Sequence, residues 1–217
     1  MIKLLIKDFR LSASALTYGF LTASLMTMLP GYPILLGAFF VSFGIFHSFQ
    51  NGRETNDILY TVLLPVSKGD VVRSKYTFVC VIQLASFLLM TLFTVLRMVY
   101  LGDAEVYRSN ALMNASPLYL AFVLLIFTAF NLVFLLRFFR TAYQIGIPFL
   151  LFGIATLVLV TVGESLHFVP GLECLNDPAG DRIGLQLLLL GISALIYAVL
   201  TWLSCHAAMK RFERLDL

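Results

Sequence analysis

Charge is what this 217-residue sequence has least of. Only 12% of its residues are Asp, Glu, Lys or Arg, which is about half the share found in an ordinary soluble domain. Hydrophobic residues make up 60% of the chain. This composition excludes a soluble globular protein and indicates a membrane protein. No polar region is long enough to fold separately, so we expect a single transmembrane domain over residues 1–217.

Cysteines and catalytic motifs are also sparse. The three cysteines, Cys80, Cys174 and Cys205, have neither CxxC nor metal-ligand spacing, so we expect no structural disulfide and no metal site. The motifs HExxH and GxSxG do not occur, which excludes the common metallopeptidase and serine hydrolase sites. We therefore expect a protein that is not an enzyme.

The sequence has no phosphate-binding loop either. The GxxxxGK[ST] pattern, whose backbone cradles nucleotide phosphates, does not occur. The long apolar runs contain no Asp, Glu or Lys, the groups on which proton- or sodium-coupled transport usually depends. If the chain moves a solute with ATP, a second polypeptide must hold the ATP and Mg²⁺, and we expect no cofactor in this chain.

Hydrophobic residues are concentrated in six apolar runs. A helix needs about 20 apolar residues to cross a hydrocarbon core of roughly 30 Å. The runs that reach or approach this length are 11–29, 33–49, 76–101, 117–136, 143–163 and 185–208. The first run is longer than a signal-peptide core and lacks a small-residue cleavage site. We therefore predict an all-α polytopic membrane protein with six transmembrane helices.

The basic residues predict the orientation of these helices. If the N-terminus is cytoplasmic, only Arg97, Arg108 and Arg182 of the 15 Lys and Arg residues lie outside, which leaves 12 inside. Cytoplasmic loops are enriched in Lys and Arg, so we expect both termini in the cytoplasm. The net charge of +3 then reflects topology and does not indicate a nucleic-acid partner. We further expect an extracellular loop at 164–184 and an interfacial amphipathic helix at 1–10.

One segment rich in charge, residues 54–75, separates the second and third predicted spans. Its spacing predicts an amphipathic helix from about Glu54 to Leu64, which Pro65 ends. Ser67 is placed to cap a second helix, with Asp70 three residues later, and this helix runs into the third span. We expect one face of the first helix to bury four apolar side chains: Ile58, Leu59, Val62 and Leu63.

The motif LLPVSKGDVVRSKY at the end of this segment resembles the cytoplasmic segment of small six-helix permeases of the ABC-2 transporter family. The matching residues are Leu64, Pro65, Val66, Ser67, Lys68, Val71, Val72, Lys75 and Tyr76. The preceding RETNDILY is similar to the version in peptide exporters of the phenol-soluble modulin exporter type. The resemblance implies that residues 54–75 contain a coupling helix, which docks in a groove of a separate ATP-binding subunit.

The same resemblance implies a function, a location and partners. The chain would be the permease subunit of an ATP-driven exporter in the bacterial plasma membrane, with amphipathic or antimicrobial-type peptides or other hydrophobic molecules as cargo. Two ATPases and a second permease, identical or paralogous, would complete the complex. The residues predicted to act in coupling are Asp57, Pro65, Ser67, Lys68, Asp70, Arg73 and Lys75. The alternative is a membrane anchor or immunity protein that binds a toxic peptide without transporting it.

Small residues on the first predicted span indicate close helix packing. Ala15, Gly19 and Ala23 recur at four-residue spacing, which lets a second helix approach closely in lipid. A homodimer of permeases would use this face, and so would a neighbouring helix of the same chain. We favour the neighbouring helix.

A few other residues within the spans are candidates for the cargo pathway or for helix packing. The pathway candidates are Thr17, Gln83, Asn131 and Pro148. We expect the polar members of this set to bond neighbouring helices and the proline to kink the fifth span. Arg97, one turn from the outer end of the third span, is expected to extend its side chain to the lipid headgroups.

Overall fold

A computed structural model describes residues 2–102, 104–108, 112–141, 143–170 and 182–215. All regular secondary structure in these residues is helical, and they contain no strand. The all-α prediction is therefore confirmed for the described part of the chain. Of the predicted loop 164–184, residues 171–181 lie outside the described residues. Cys174 is among them, and both Cys80 and Cys205 are free thiols.

The helices follow one another along the chain with short connections. They are α1 (Ile2–Lys7), α2 (Ala15–Met28), α3 (Leu36–Glu54), α4 (Asp57–Val62), α5 (Lys68–Tyr100), α6 (Glu105–Arg108), α7 (Pro117–Thr141), α8 (Gly146–Ser165) and α9 (Ile183–Glu213). A π-helical turn, Asp8–Ser12, extends α1, and another, Phe130–Leu135, interrupts α7. A 3₁₀ turn, Leu166–Phe168, follows α8.

Four helices, α5, α7, α8 and α9, are long and apolar enough to cross a membrane. They correspond to the last four predicted spans. Helices α2 and α3 lie where the first two were predicted, but α2 is short. Because Phe20–Met28 is 3₁₀-helical, with a rise of 2.0 Å per residue, α2 is about 25 Å long. The crossing of α2 and α3 and the orientation of the termini stay predictions.

Helix α7 forms the centre of the bundle. In its most apolar window 78% of the residues are buried, compared with 11% in α9. Phenylalanines of α3 and α8 pack against those of α7, and the ring centroids of Phe46 in α3 and Phe149 in α8 are 4.2 Å apart. The apolar residues on all sides of α7 are compatible with this central position. The outer helices bury one face only and leave the other for lipid or a partner.

Helices α2 and α3 approach each other at two glycines of α3. A Cβ atom at Gly44 would lie 2.8 Å from the Cβ of Phe20, and one at Gly37 would lie 2.9 Å from the carbonyl oxygen of Ala23. The hydroxyl of Thr17 donates a hydrogen bond of 2.6 Å to the Gly44 carbonyl. Glycine at these positions therefore permits backbone contact between the two helices.

The predicted stripe of small residues on α2 is used only in part. Ala15 is exposed, and a Cβ atom at Gly19 would meet no other atom within 4 Å. Only Ala23, through its carbonyl beside α3, contributes to packing within the chain. Our preference for a neighbouring helix of the same chain is thus wrong at Gly19, and a dimer contact through this stripe stays a prediction.

Two predictions about individual residues in the spans are wrong. Pro148 lies in the first turn of α8, where a backbone N–H has no partner within the helix, so it causes no kink. Arg97 is only 3% exposed and does not extend to the headgroups. Its guanidinium donates to the carbonyl of Thr27 at 2.7 Å and to Oδ1 of Asn114 at 3.1 Å. It therefore joins α5 to the end of α2 and the start of α7.

Candidate functional site

The 54–75 segment consists of a short helix, a proline turn and the first two turns of α5. Helix α4 is shorter than predicted because α3 continues to Glu54 and Asn56 adopts a left-handed conformation with φ of 52°. Asn tolerates this conformation better than most residues, so it separates α3 from α4. Ile58 is buried as expected, but Leu63 is 76% exposed, and the prediction of its burial is wrong.

The predicted N-cap is confirmed. The Ser67 hydroxyl accepts a hydrogen bond of 3.0 Å from the backbone N–H of Asp70, and α5 then continues without a break for 33 residues. Gly69 lies in the first turn, where a Cβ atom would be 3.4 Å from a carboxylate oxygen of Glu213. The Lys68 ammonium donates to the Leu215 carbonyl. The start of α5 is thus attached to the end of α9.

Four charged side chains form a closed cycle beside the segment, which we call the charge ring: Lys7, Asp57, Lys75 and Asp8. Lys7 Nζ lies 2.8 Å from Oδ1 of Asp57, and Oδ2 of Asp57 lies 2.8 Å from Lys75 Nζ. Lys75 Nζ lies 2.7 Å from Oδ1 of Asp8, which is 3.5 Å from Lys7 Nζ. Positive and negative groups alternate, so the ring has no net charge. It joins the N-terminal segment, α4 and α5.

Hydroxyl groups complete the hydrogen bonding of the charge ring. Ser74 donates to Asp8, Ser12 donates to Oδ2 of Asp57 at 3.0 Å, and Lys7 donates to Thr61 at 2.7 Å. Asp8 is only 2% exposed. A buried charge is costly unless it is paired and hydrogen-bonded, and each member of the ring meets that requirement. Removal of one member would leave an opposite charge buried without a full set of partners.

The charge ring keeps Asp57 ionised. Burial alone would raise the pKa of its carboxyl group, but the ammonium groups of Lys75 and Lys7 act more strongly in the opposite direction and lower it to about 2. A cavity of 20 Å³, bordered by Asp57, Lys75 and Asn56, is large enough for about one water molecule. Because of its low pKa, the carboxyl group of Asp57 is ionised near neutral pH.

The seven residues predicted to act in coupling do not form one surface. Asp57 and Lys75 point into the charge ring and not toward solvent. Pro65 and Ser67 are exposed at the turn. Lys68 and Asp70 are half-buried in the first turn of α5, and Arg73 is exposed beside α9.

Sequence reasoning missed Lys7 and Asp8. The sequence carried no local signal for them, because their partners Asp57 and Lys75 lie about 50 to 70 residues further along the chain. Sequence reasoning also missed an exposed apolar surface at the turn, which we call the apolar tip. Its members are Tyr60, Leu63 and Leu64, each more than half exposed.

Polar side chains also connect three helices inside the bundle. Gln83 of α5 and Asn131 of α7 exchange two hydrogen bonds of 3.1 Å, and Asn131 donates a third to Thr201 of α9 at 2.9 Å. Asn131 lies in the π-helical turn, and its carbonyl accepts a hydrogen bond of 2.8 Å from the Ser204 hydroxyl. The prediction that Gln83 and Asn131 bond neighbouring helices is confirmed. Thr17 likewise bonds α3, through Gly44.

The described residues contain no group of three His, Cys, Asp or Glu side chains that could hold a metal ion. Comparison with known proteins gives one match. Residues 3–213 match a family model described as "ABC-2 family transporter protein". This range includes the charge ring, the apolar tip and the four candidate spans. No curated protein and no solved structure matches the chain.

Proposed function

Because the chain belongs to the ABC-2 family of transporter proteins, we propose that it is the permease subunit of an ATP-driven exporter whose ATPase is a separate polypeptide. Its four apolar helices make it a multi-pass membrane protein. The proposed assembly has two permeases, two ATPases and cytoplasmic termini, and it lies in the bacterial plasma membrane. ATP and Mg²⁺ bind to the ATPase subunits.

The apolar tip is the observation that supports the contact with an ATPase. Large apolar side chains exposed together at a turn are the kind of surface that a protein partner buries. In this chain they lie at the end of α4 and in the turn that follows it, close in sequence to the exposed Pro65 and the N-cap Ser67. Lys68 and Asp70 flank the tip in the first turn of α5. We place the ATPase contact at this tip, with the charged residues at its edge.

The charge ring and the capped start of α5 supply the mechanical connection. Rigid elements transmit a displacement as a whole, whereas a loose loop absorbs it. Asp57 ties α4 to Lys75 in α5 and to Lys7 in the N-terminal segment. Movement of the tip by an ATPase would therefore move α1, α4 and the start of α5 together, and α5 would carry this movement into the membrane.

The proposed cargo is an amphipathic peptide or another hydrophobic molecule. Two observations support it: the resemblance of the 54–75 segment to that of peptide exporters, and the absence of Asp, Glu and Lys from the apolar runs. Membrane proteins that move ions or polar solutes usually place ionisable groups along the path. Apolar walls suit a cargo that is itself largely apolar.

The test is to remove the apolar tip and follow the ATPase. The variant Leu63→Ala/Leu64→Ala should lower the affinity of the ATP-binding subunit about thirtyfold, because two interface contacts worth about 1 kcal/mol each sum to about 2 kcal/mol, and about 1.4 kcal/mol corresponds to a factor of ten. Ile2→Ala is the matched control, since Ile2 is 74% exposed, close to the 76% of Leu63, but lies outside the tip. Affinity is measured by titration of the purified subunits, and coupling by ATP-dependent transport in vesicles.

The proposal fails if no ATP-binding subunit copurifies with the chain from its host, or if the tip variant and Ile2→Ala bind that subunit equally well. A chain that copurifies only with a small peptide would favour the membrane immunity or anchor protein.

A further inference from the structure

A groove runs along the outer surface of the bundle between α5 and α9. Helix α9 leaves most of its apolar surface uncovered by the rest of the chain. One part of the groove, with a volume of 450 Å³, extends along α5 from Arg73 to Leu84. A second part, of 430 Å³, shares Leu84 with the first and continues to Leu187. The predicted topology places the Arg73 end at the cytoplasmic side.

Small side chains make the groove hollow. Its walls include Thr77 and Cys80 on α5 and Ala198, Thr201 and Cys205 on α9, at spacings of three and four residues that place each set on one helix face. The hydroxyl of Thr201 accepts a hydrogen bond from Asn131 in the interior. Its polar group is therefore already paired, and the groove presents a mainly apolar surface.

Basic and amphipathic groups mark the Arg73 end. The side chain of Arg73 is exposed and forms no hydrogen bond or ion pair with any residue that the structure describes. Arg211 lies in the last turn of α9, the helix that forms the other wall of the groove. Trp202 lines the same part of the groove and is exposed. Trp and Arg are both common near the level where lipid headgroups meet the hydrocarbon core.

The length of the first part corresponds to one leaflet of a bilayer. Leu84 lies eleven positions after Arg73, which is about 16 Å along a helix. This is about half of the roughly 30 Å hydrocarbon thickness. A molecule with an anionic head at Arg73 and an extended apolar tail would therefore fill this part of the groove.

We propose that the groove between α5 and α9 binds an anionic phospholipid of the inner leaflet, with its phosphate at Arg73 and one acyl chain between Thr77 and Leu84. A guanidinium group pairs with phosphate through two parallel hydrogen bonds, which gives the unpaired Arg73 its partner. Arg73 is then a lipid ligand and not an ATPase contact. This site does not depend on the proposed ATPase, so each proposal can fail alone.

The experiment is native mass spectrometry of the detergent-purified chain, titrated with phosphatidylglycerol or with phosphatidylcholine. Wild type should bind one phosphatidylglycerol per chain more tightly than phosphatidylcholine. Arg73→Ala should weaken this binding about fivefold, the effect of one basic residue at an anionic lipid surface. Ala198→Phe should weaken it for both lipids, because the new ring occupies the groove from an exposed position. Arg53→Ala, which removes an exposed charge outside the groove and outside the N-terminal helix, should have no effect.

Equal binding of the two lipids by wild type, or equal losses in Arg73→Ala and Arg53→Ala, would overturn the proposal. A second copy of the chain is the competing occupant. If Ala198→Phe converts a dimer into a monomer while phosphatidylglycerol binding is unchanged, the groove is an interface between copies and the lipid proposal is wrong. The thermal unfolding temperature of each variant shows whether it folds, and Arg73→Ala tests the site even if Ala198→Phe does not fold.

Discussion

Replacement of Lys75 by Met provides a direct test of the charge ring. The change keeps an unbranched side chain of similar size but removes an ammonium group that lies 2.7 Å from Asp8 and 2.8 Å from Asp57. Asp8, which is almost fully buried, would keep only Lys7 as an ionic partner, at 3.5 Å. Removal of one partner from a buried ion pair costs about 3–5 kcal/mol, and we expect Lys75→Met to lower the free energy of unfolding by this amount.

A second substitution tests whether the loss of stability in Lys75→Met comes from the unpaired charge of Asp8. Asp8→Asn removes the negative charge that Lys75→Met leaves without its main partner, so the double variant retains a neutral pair, Lys7 with Asp57. We expect the double variant to be more stable than Lys75→Met alone, with a coupling energy of about 1–3 kcal/mol between the two sites. Lys3→Met is the control, because Lys3 is exposed, and it should change stability by about 0.5 kcal/mol or less.

Stability is measured by thermal unfolding in detergent. For a chain of this length, about 1 kcal/mol corresponds to 2–4 °C in Tm, so Lys75→Met should lower Tm by about 6–20 °C. A loss no larger than that of Lys3→Met would show that the ring does not stabilise the fold. A double variant no more stable than Lys75→Met would show that the two charges do not act as a pair.

Two further predictions concern acid and helix packing. The pKa of Asp57 falls from 3.8 to about 2 on folding, so its carboxylate stabilises the fold above about pH 4, and this contribution is lost as the pH falls toward 2. Between about pH 4 and pH 2, Asp57→Asn should therefore lose less Tm than wild type. An equal loss of Tm in the two proteins would contradict the stabilising role of the Asp57 carboxylate. Gly44→Ala would place a Cβ atom 2.8 Å from Phe20 and should cost about 1–3 kcal/mol through overpacking. Gly153→Ala is the control, because its added Cβ atom meets no atom within 4 Å, and it should not lower the free energy of unfolding. Equal Tm values for Gly44→Ala and Gly153→Ala would refute the close contact of α2 with α3.

The features that could be predicted from sequence are those with local signals. The long apolar runs predicted the four helices that are candidate spans. Pro65 predicted that the helix before it ends, which it does at Val62, and Ser67 predicted where α5 begins, because a proline and an N-cap act on the backbone within a few residues. The polar pair of Gln83 and Asn131 could be expected to bond neighbouring helices, since an unpaired amide in an apolar interior is costly.

The features that sequence reasoning missed depend on contacts between distant parts of the chain. Lys7 and Asp57 are 50 residues apart, yet they form a central pair of the charge ring. Hydrophobic periodicity identified the apolar side of the α4 region but not which residues the bundle covers, so Leu63 was assigned to the interior although it is exposed. Arg97 was assigned to the headgroups for a similar reason, because its acceptors lie on α2 and beside α7.

Three polar attachments along α5 determine how this helix can move. Lys75 anchors the first turns of α5 in the charge ring, Gln83 bonds α7 and α9 near its middle, and Arg97, close to its C-terminal end, bonds the end of α2 and Asn114 just before α7. They are separated by about 12 Å and about 21 Å along the helix. Apolar contacts tolerate sliding, whereas hydrogen bonds are directional and costly to break in an apolar interior. A displacement that begins at the apolar tip would therefore move α5 together with α7 and α9 as one body, and not slide α5 past them.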